Sequence, residues 1–336
     1  MTIAYESWGT LSPARDNAVL VLHALTGDSH VVGEPSPAHP TRGWWYGLIG
    51  PGRPIDTEQW FVVAPNILGG CQGSTGPSSP APDGRPWGSR FPALSTRDQV
   101  AAEAAWADRL GLDRWALVLG GSAGGMRALE WAVEHPDRVE RLLLLSTTPE
   151  ATADQIAWCH AQIGAIRADP RFRGGDYYDA APGDGPHRGM AVARQIAHVT
   201  YRSAYELDQR FGRQPQDGED PFAGGRYAVE SYLDHHGDKL IGRFDANSYV
   251  VLSEAMNTHD VGRGRGGTEA ALSRVTARTV VASIDSDRLY PPELGQRLAT
   301  GIAGVPGLTM ISSPYGHDGF LIEVDAVARL VQTLVV

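Results

Sequence analysis

The sequence predicts an α/β fold, a mostly parallel sheet flanked by helices, with a helical insertion over the sheet's catalytic edge. Three observations predict it. Short continuous apolar runs at 18–22, 60–65, 115–119, 141–146 and 279–284 read as strands buried on both faces. Helical patterns alternate with them. Between about 150 and 270 that alternation lapses, and only helices and loops can be read. The core therefore comprises 1–149 and 268–336, and 150–267 is the insertion.

In chain order, 2–6 alternates as a strand should, and Pro13, Arg15, Asp16 and Asn17 form a turn. The run at 18–22 is a buried strand that leads directly into His23-Ala24-Leu25-Thr26-Gly27-Asp28. The stretch 43–52, rich in Trp, Gly and Pro, reads as irregular surface structure. After the strand at 60–65, the glycine-rich 66–77 lacks the Lys-Ser/Thr ending of a P-loop and the spacing of a dinucleotide fingerprint. It reads as a compact loop near a pocket. A helix follows over 95–110, with Ser95 or Thr96 as its N-cap. The next strand opens a helix that Pro136 stops. Within the insertion, helices are expected over 152–168, 189–201, 223–236 and 246–256. Short helices at 268–273 and 292–298, strands at 279–284 and 308–312, and a terminal helix from about Phe320 complete the chain.

Composition narrows the function. The 336 residues carry 42% apolar and 20% charged side chains, as in an ordinary globular protein. A net charge of −10 argues against nonspecific nucleic-acid or anionic-membrane binding. Cys71 and Cys159 are too few for a disulfide framework and read as buried thiols in a reducing compartment. The first residues lack the basic and apolar regions of a signal peptide, and no apolar stretch is long enough to span a bilayer. A cytoplasmic protein is expected.

The chemistry centres on Gly120-Gly121-Ser122-Ala123-Gly124. Strand, tight turn with a hydroxyl at its tip, then helix is the order of a nucleophile elbow. The helix start aims free N–H groups and its positive dipole end at charge forming beside the serine oxygen. Alone, G-x-S-x-G fits an ordinary glycine-rich turn about as well, so the case rests on partners. A serine needs a base to take its proton and a carboxylate to orient that base. Both stand in the expected order just past late strands: Asp285 and Asp287 after 279–284, and His317 in Tyr315-Gly316-His317-Asp318-Gly319 after 308–312. Asp287 is the choice for the orienting acid, and Asp285 reads as a turn or cap residue.

Beyond these motifs, His23 to His30, Asn66 to Pro77, Phe244 to Tyr249, His259 to Gly267 and Tyr315 to Leu321 closely resemble homoserine O-acetyltransferases, especially actinobacterial members. The resemblance runs from Thr2 to the C-terminus. It implies the α/β-hydrolase fold, with acetyl transfer from acetyl-CoA to the side-chain hydroxyl of L-homoserine in methionine biosynthesis. It also implies a homodimer assembled through the insertion, no metal, and no permanently bound cofactor, acetyl-CoA serving as co-substrate. It makes Ser122 the nucleophile, His317 the general base and Asp287 the orienting acid, with Leu25 and Ala123 supplying oxyanion N–H groups. Thr26, Arg194, Tyr201 and Asp318 match the family's homoserine-binding positions. Their chemistry suits that role: an arginine can grip an α-carboxylate with two parallel bonds, and an aspartate can meet an α-ammonium. Without the resemblance, Arg194 would read as a solvated helix-face residue and Asp318 as a loop cap. Family members usually carry Met where this chain has Ala123 and Asp where it has Tyr46, and they usually begin with a further β-hairpin before Thr2. Succinyl-CoA as donor, serine as acceptor, a plain esterase and a catalytically inert scaffold are the competing expectations. No sequence signature selects the cations that would meet CoA phosphates.

Overall fold

The structure, a computed structural model, describes residues 1–37, 39–181 and 183–335. Its strands are β1 (Tyr5–Trp8), β2 (Ala18–Leu22), β3 (Ile49–Gly50), β4 (Ile55–Asp56), β5 (Phe61–Pro65), β6 (Leu117–Gly121), β7 (Arg141–Leu145), β8 (Arg278–Ile284) and β9 (Thr309–Ile311). Seven of them form one sheet in the order β1-β5-β2-β6-β7-β8-β9, and β3 and β4 pair separately. Only β1 runs antiparallel, pairing with β5; every other neighbour in the large sheet is parallel. That is the α/β-hydrolase architecture predicted.

Alternation along β2 explains the two helical layers. Ala18, Leu20 and Leu22 face one core and Val19 and Val21 the other, because successive strand residues point to opposite faces. The first core packs α1 (Thr96–Leu110) and α2 (Ala123–Glu134) on the sheet. Ser95 caps α1 in a capping box with Asp98, and Gly111 ends it at φ 67°. The second core receives Trp45, Leu48 and Ile49 with Val327 and Val331 of the terminal helix. Trp45, Leu48 and Ile49 are buried, so the middle of 43–52 is core and not the surface stretch expected, while Tyr46, Pro51 and Gly52 are exposed. Its indole N–H donates to the Phe320 carbonyl, a partner the sequence could not reveal.

Between β7 and the short α8 (Thr268–Leu272) the chain forms α3 (Ala153–Arg167), α4 (His187–Tyr201), α5 (Ala204–Arg210), α6 (Ala228–Ile241) and α7 (Ala246–Asn257). The apolar faces of α3, α4, α6 and α7 meet Leu25, Ile67 and Ala123 in a third core. The helix expected over 223–236 begins later, because Gly224 at φ 86° ends a short turn and Glu230 then accepts the Tyr227 N–H at the true start. The heptamer α5 was not foreseen; Ser203 caps it. The first strand also starts later than read. Thr2 and Ala4 instead bond to Thr75 and Ser74 of the glycine-rich loop. After β8, α9 (Pro292–Gly301) precedes β9, and the terminal helix is split into α10 (Gly319–Ile322) and α11 (Val324–Val335). Among the described residues no helix is long and apolar enough to cross a membrane.

Candidate active site

Ser122 sits between β6 and α2 at φ 57° and ψ −127°, a conformation a non-glycine residue adopts only when its surroundings enforce it. The enforcement is visible. Ser122 N–H donates to the Leu145 carbonyl at 3.0 Å, and Thr147 Oγ1 donates to the Ser122 carbonyl at 2.9 Å. Gly124 is obligatory for the same turn: a Cβ there would lie 2.0 Å from the Leu22 carbonyl oxygen. The elbow thus presses against the end of β2, where the other half of the site begins.

His317 follows β9 and Asp287 follows β8. The His317 Nδ1 and Asp287 Oδ2 are 2.6 Å apart, both residues almost fully buried. The second Asp287 oxygen accepts the backbone N–H groups of Leu289 and Tyr290 at 2.9 Å each. The carboxylate is therefore fixed on both sides, and its bond to Nδ1 leaves Nε2 as the free ring nitrogen. His317 Nε2 is buried without a hydrogen-bond partner and His317 lines the same cavity as Ser122. The ring is clamped by Tyr290, stacked at 4.8 Å, and by the edge of Phe320. Asp285 is an exposed turn residue whose carboxylate accepts the Ser313 N–H.

The loop after β2 is built as rigidly. His23 Nε2 accepts the Ile67 N–H at 3.1 Å while Nδ1 lies 2.8 Å from the Ala24 carbonyl, which fixes the neutral tautomer with its proton on Nδ1. Burial, reinforced by the charge of Arg127, pushes the His23 pKa down to about 3. Arg127 on α2 donates to the His23 carbonyl at 2.7 Å, and Glu103 on α1 balances its charge. The backbone pairing of this loop uses the Gly27 N–H and not that of Leu25. The Ala123 N–H, in the first turn of α2, is a group that helix geometry leaves unpaired. Leu25 and Ala123 meet in the third core.

A cavity of about 1360 Å³ opens over Ser122 and His317. Thr26, Arg194, Tyr201 and Asp318 all line it, so the structure brings these four together around the serine. Arg194 donates to Thr26 Oγ1 at 3.2 Å and its guanidinium lies 5.5 Å from the Tyr201 ring centroid. Burial raises the Tyr201 pKa to about 12, so the phenol stays protonated. Burial likewise raises that of Asp318, an effect opposed by Arg202, 3.3 Å away. Arg42, Lys239 and Arg243 add positive charge to the walls. Cys71 and Gln72 of the glycine-rich loop also line the cavity, as expected of that loop. Burial pushes the Cys71 and Cys159 thiols up to about 12 and about 11, so neither competes with Ser122 as a thiolate near neutral pH.

Behind Ser122 lies a second, much smaller pocket of about 30 Å³, bounded by Leu25, Met126, Trp158, Cys159 and Tyr290 among others. Among the described residues no charged side chain lines it. At the outer mouth, Glu6, His30 and His39 gather within 4.8 Å. The two imidazoles stack at 4.0 Å, only 4° from parallel, and both contact the Glu6 carboxylate. Rings so stacked cannot both aim an in-plane lone pair at one ion; His30 is hydrogen-bonded to Glu6 and His39 lies 3.4 Å from the same carboxylate.

Sequence reasoning passed over Arg202, Arg127, Glu103 and Arg243. Their partners lie far along the chain, and no local spacing marks them. Tyr290 stood in plain view three residues after Asp287 with no role attached to it.

A family model described as alpha/beta hydrolase fold matches residues 17–324. The chain is 64% identical over 332 residues to a homoserine O-acetyltransferase of Thermobifida fusca (strain YX), covering 99% of this chain and 87% of that protein. Among solved structures, a homoserine O-acetyltransferase from Bacillus anthracis superposes with a TM-score of 0.89 at 27% identity, covering 99% of this chain and 91% of that one. Esterase E22 superposes with a TM-score of 0.88 at 26% identity, covering 99% and 93%.

Proposed function

This chain belongs to the homoserine O-acetyltransferases of the α/β-hydrolase fold, and from that premise we propose that it moves an acetyl group from acetyl-CoA to the side-chain hydroxyl of L-homoserine through an acyl-Ser122 intermediate. The place of such an acyltransferase is methionine biosynthesis. Ser122 Oγ attacks the thioester carbonyl as His317 Nε2 takes its proton, and Asp287 steadies the imidazolium that results. The oxyanion is met by the N–H groups of Leu25 and Ala123, where losing one donor costs about a hundredfold or more. The tetrahedral adduct collapses, the C–S bond breaks, and the thiol leaves with the proton from His317. Homoserine then enters, His317 takes the proton of its hydroxyl, and the alkoxide displaces Ser122 from the ester. Arg194, with Thr26 and Tyr201 beside it, grips the α-carboxylate, and Asp318 meets the α-ammonium.

The observation that carries this reading is the pair of chambers meeting at Ser122. The large one is lined with the charges an amino acid needs. The small one, about 30 Å³ and uncharged among the described residues, has room for roughly a methyl group or one water. A succinyl chain seated in it would bury a carboxylate without a charged partner, which carries a large desolvation cost. Arg42, Lys239 and Arg243 are the cations placed to meet CoA phosphates at the wider chamber. The segment 150–267 acts as a lid that limits water at the acyl-serine. Its Phe222, 96% exposed, and Tyr205, 64% exposed, support a homodimer contact there. The enzyme works in the cytoplasm, with no resident cofactor or metal.

A second reading, a serine esterase, is favoured by the likeness to esterase E22. One experiment separates the two. Purified protein is mixed with acetyl- or succinyl-CoA and with homoserine or serine, and thiol release and product mass are followed. Acetyl-CoA with homoserine should give O-acetylhomoserine and a prior burst of free CoA. Equal thiol release with and without acceptor, yielding acetate, would establish the esterase instead.

A further inference from the structure

We propose that Arg202 is a positioning residue which holds the Asp318 carboxylate ionised and aimed into the cavity, and so determines how tightly and over what pH range an α-ammonium is bound. The proposal rests on the reading of Asp318 given above. Its ground is an ion-pair chain: Arg202 Nε lies 3.3 Å from Asp318 Oδ2, Arg202 Nη1 3.9 Å from Glu206, and Glu206 3.4 Å from Arg210. Arg202 and Asp318 side chains are only 13% and 18% exposed, so water screens the pair weakly. Arg202 also lines the cavity.

The corner that carries Arg202 is bolted to the loop that carries Asp318. Ser203 Oγ donates to the Pro314 carbonyl, and a Cβ on Gly316 would lie 2.6 Å from Ser203 N and 2.7 Å from the Tyr201 carbonyl. Arg202 therefore cannot drift from Asp318 without moving both segments. A carboxylate buried alone favours its neutral form, which offers an ammonium far less. The groups that set its charge are Arg202 and Arg194 from α4 and its end, and His317 and Asp287 from the loops beside it. Asp318 in turn faces the phenols of Tyr201 and Tyr232, and Arg202 faces His198 and His236 as well as the Tyr315 ring at 5.9 Å. Burial holds His198 and His236 neutral near pH 7, and the phenols stay protonated, so Arg202 is the nearest lasting positive charge on Asp318.

The test uses Arg202→Gln and the charge-preserving Arg202→Lys with two acceptors, homoserine and 4-hydroxybutyrate, which lacks the ammonium. In Arg202→Gln the KM for homoserine should rise about tenfold, because the weakly screened positive charge beside the Asp318 carboxylate is lost. Discrimination against 4-hydroxybutyrate should fall equally, and the acid limb of kcat/KM for homoserine should move to higher pH. Arg202→Lys should recover most of the KM and the pH limb, and Arg202→Met, which also removes the charge, carries the test if Arg202→Gln does not fold. Wild-type KM, discrimination and pH limb in a folded variant that lacks the charge, or an Arg202→Lys variant no better than Arg202→Gln, would overturn the proposal. If the unmodified enzyme does not prefer homoserine to 4-hydroxybutyrate, the reading of Asp318 itself fails, a result distinct from a failure of Arg202.

Discussion

Replacing Glu103 by Gln should cost this protein stability and activity by separable amounts. Glu103 is fully buried and accepts from Arg127 Nη1 at 2.5 Å and from Trp131 Nε1 at 2.8 Å. Arg127 is 1% exposed, and its other terminal nitrogen donates to the His23 carbonyl at 2.7 Å. The neutral amide leaves that guanidinium buried with no counter-charge, a loss of about 3–5 kcal/mol when one partner of a buried pair is removed. The paired replacement Glu103→Leu with Arg127→Met removes both charges. It should lose the Trp131 acceptor and the donor to the His23 carbonyl, about 1–3 kcal/mol each. Catalysis should rank differently. Only the paired replacement releases the His23 carbonyl outright, loosening the loop that ends at Leu25. A misplaced oxyanion donor costs up to about a hundredfold in kcat. Urea unfolding followed by fluorescence and circular dichroism gives the stabilities, and active-site titration with an organophosphate gives kcat per competent serine. If Glu103→Gln loses less than about 1 kcal/mol, the buried pair is not the constraint described. A paired variant with wild-type kcat refutes the rest.

Three further outcomes follow from the same geometry. Asp287→Asn removes the acceptor that fixes the His317 tautomer, and kcat should drop by about 10⁴-fold as in other Ser-His-Asp enzymes, with the fold retained by circular dichroism. Arg194→Met should raise the homoserine KM at least about tenfold while leaving the acceptor-free thiol burst intact; a slowed burst would place Arg194 at the acyl step instead. Burial holds the His23 and His259 pKa values at about 3 and about 4, below their ordinary 6.5, so the folded state binds fewer protons than the unfolded chain in acid. Stability should be flat above about pH 6.5 and fall by about 1.4 kcal/mol per pH unit for each histidine down to its folded-state value. A urea midpoint unchanged between pH 7 and 5 would contradict this.

The sheet was legible because its strands are short, apolar and bounded by turns, and the parallel order follows from helices long enough to cross over. The caps were legible for the same local reason: Ser95 and Asp98 are three residues apart. What stayed hidden depended on distant partners. Trp45 looked like surface because its neighbours are glycine and proline-rich, yet Phe320 supplies its hydrogen bond across 275 residues. The helix over 223–236 was drawn too early because apolar spacing outweighed the two glycines at 224 and 225, which the backbone needs for a turn.

The site divides along the same line. A nucleophile elbow and its following acid and base announce themselves by position relative to strands, and Ser122, Asp287 and His317 could be named without coordinates. That machinery is common to the fold: an esterase at 26% identity superposes almost as well as an acetyltransferase at 27%. What distinguishes an acyl acceptor from water must then lie in groups the triad does not require. On the proposed reading those groups are Arg194, Asp318 and Arg202. Only the first two stand at positions a family pattern marks, and all three read alone as surface charges. The cavity, at about 1360 Å³, is far larger than an amino acid, so shape by itself cannot keep water from the ester. On that reading the lid is helped by charges that hold an α-carboxylate and an α-ammonium at once, placing one hydroxyl within reach of His317 more often than a solvent molecule. Such charges act only as a set, and their assembly from the end of α4 and the loop after β9 is a property of the fold rather than of any stretch of sequence.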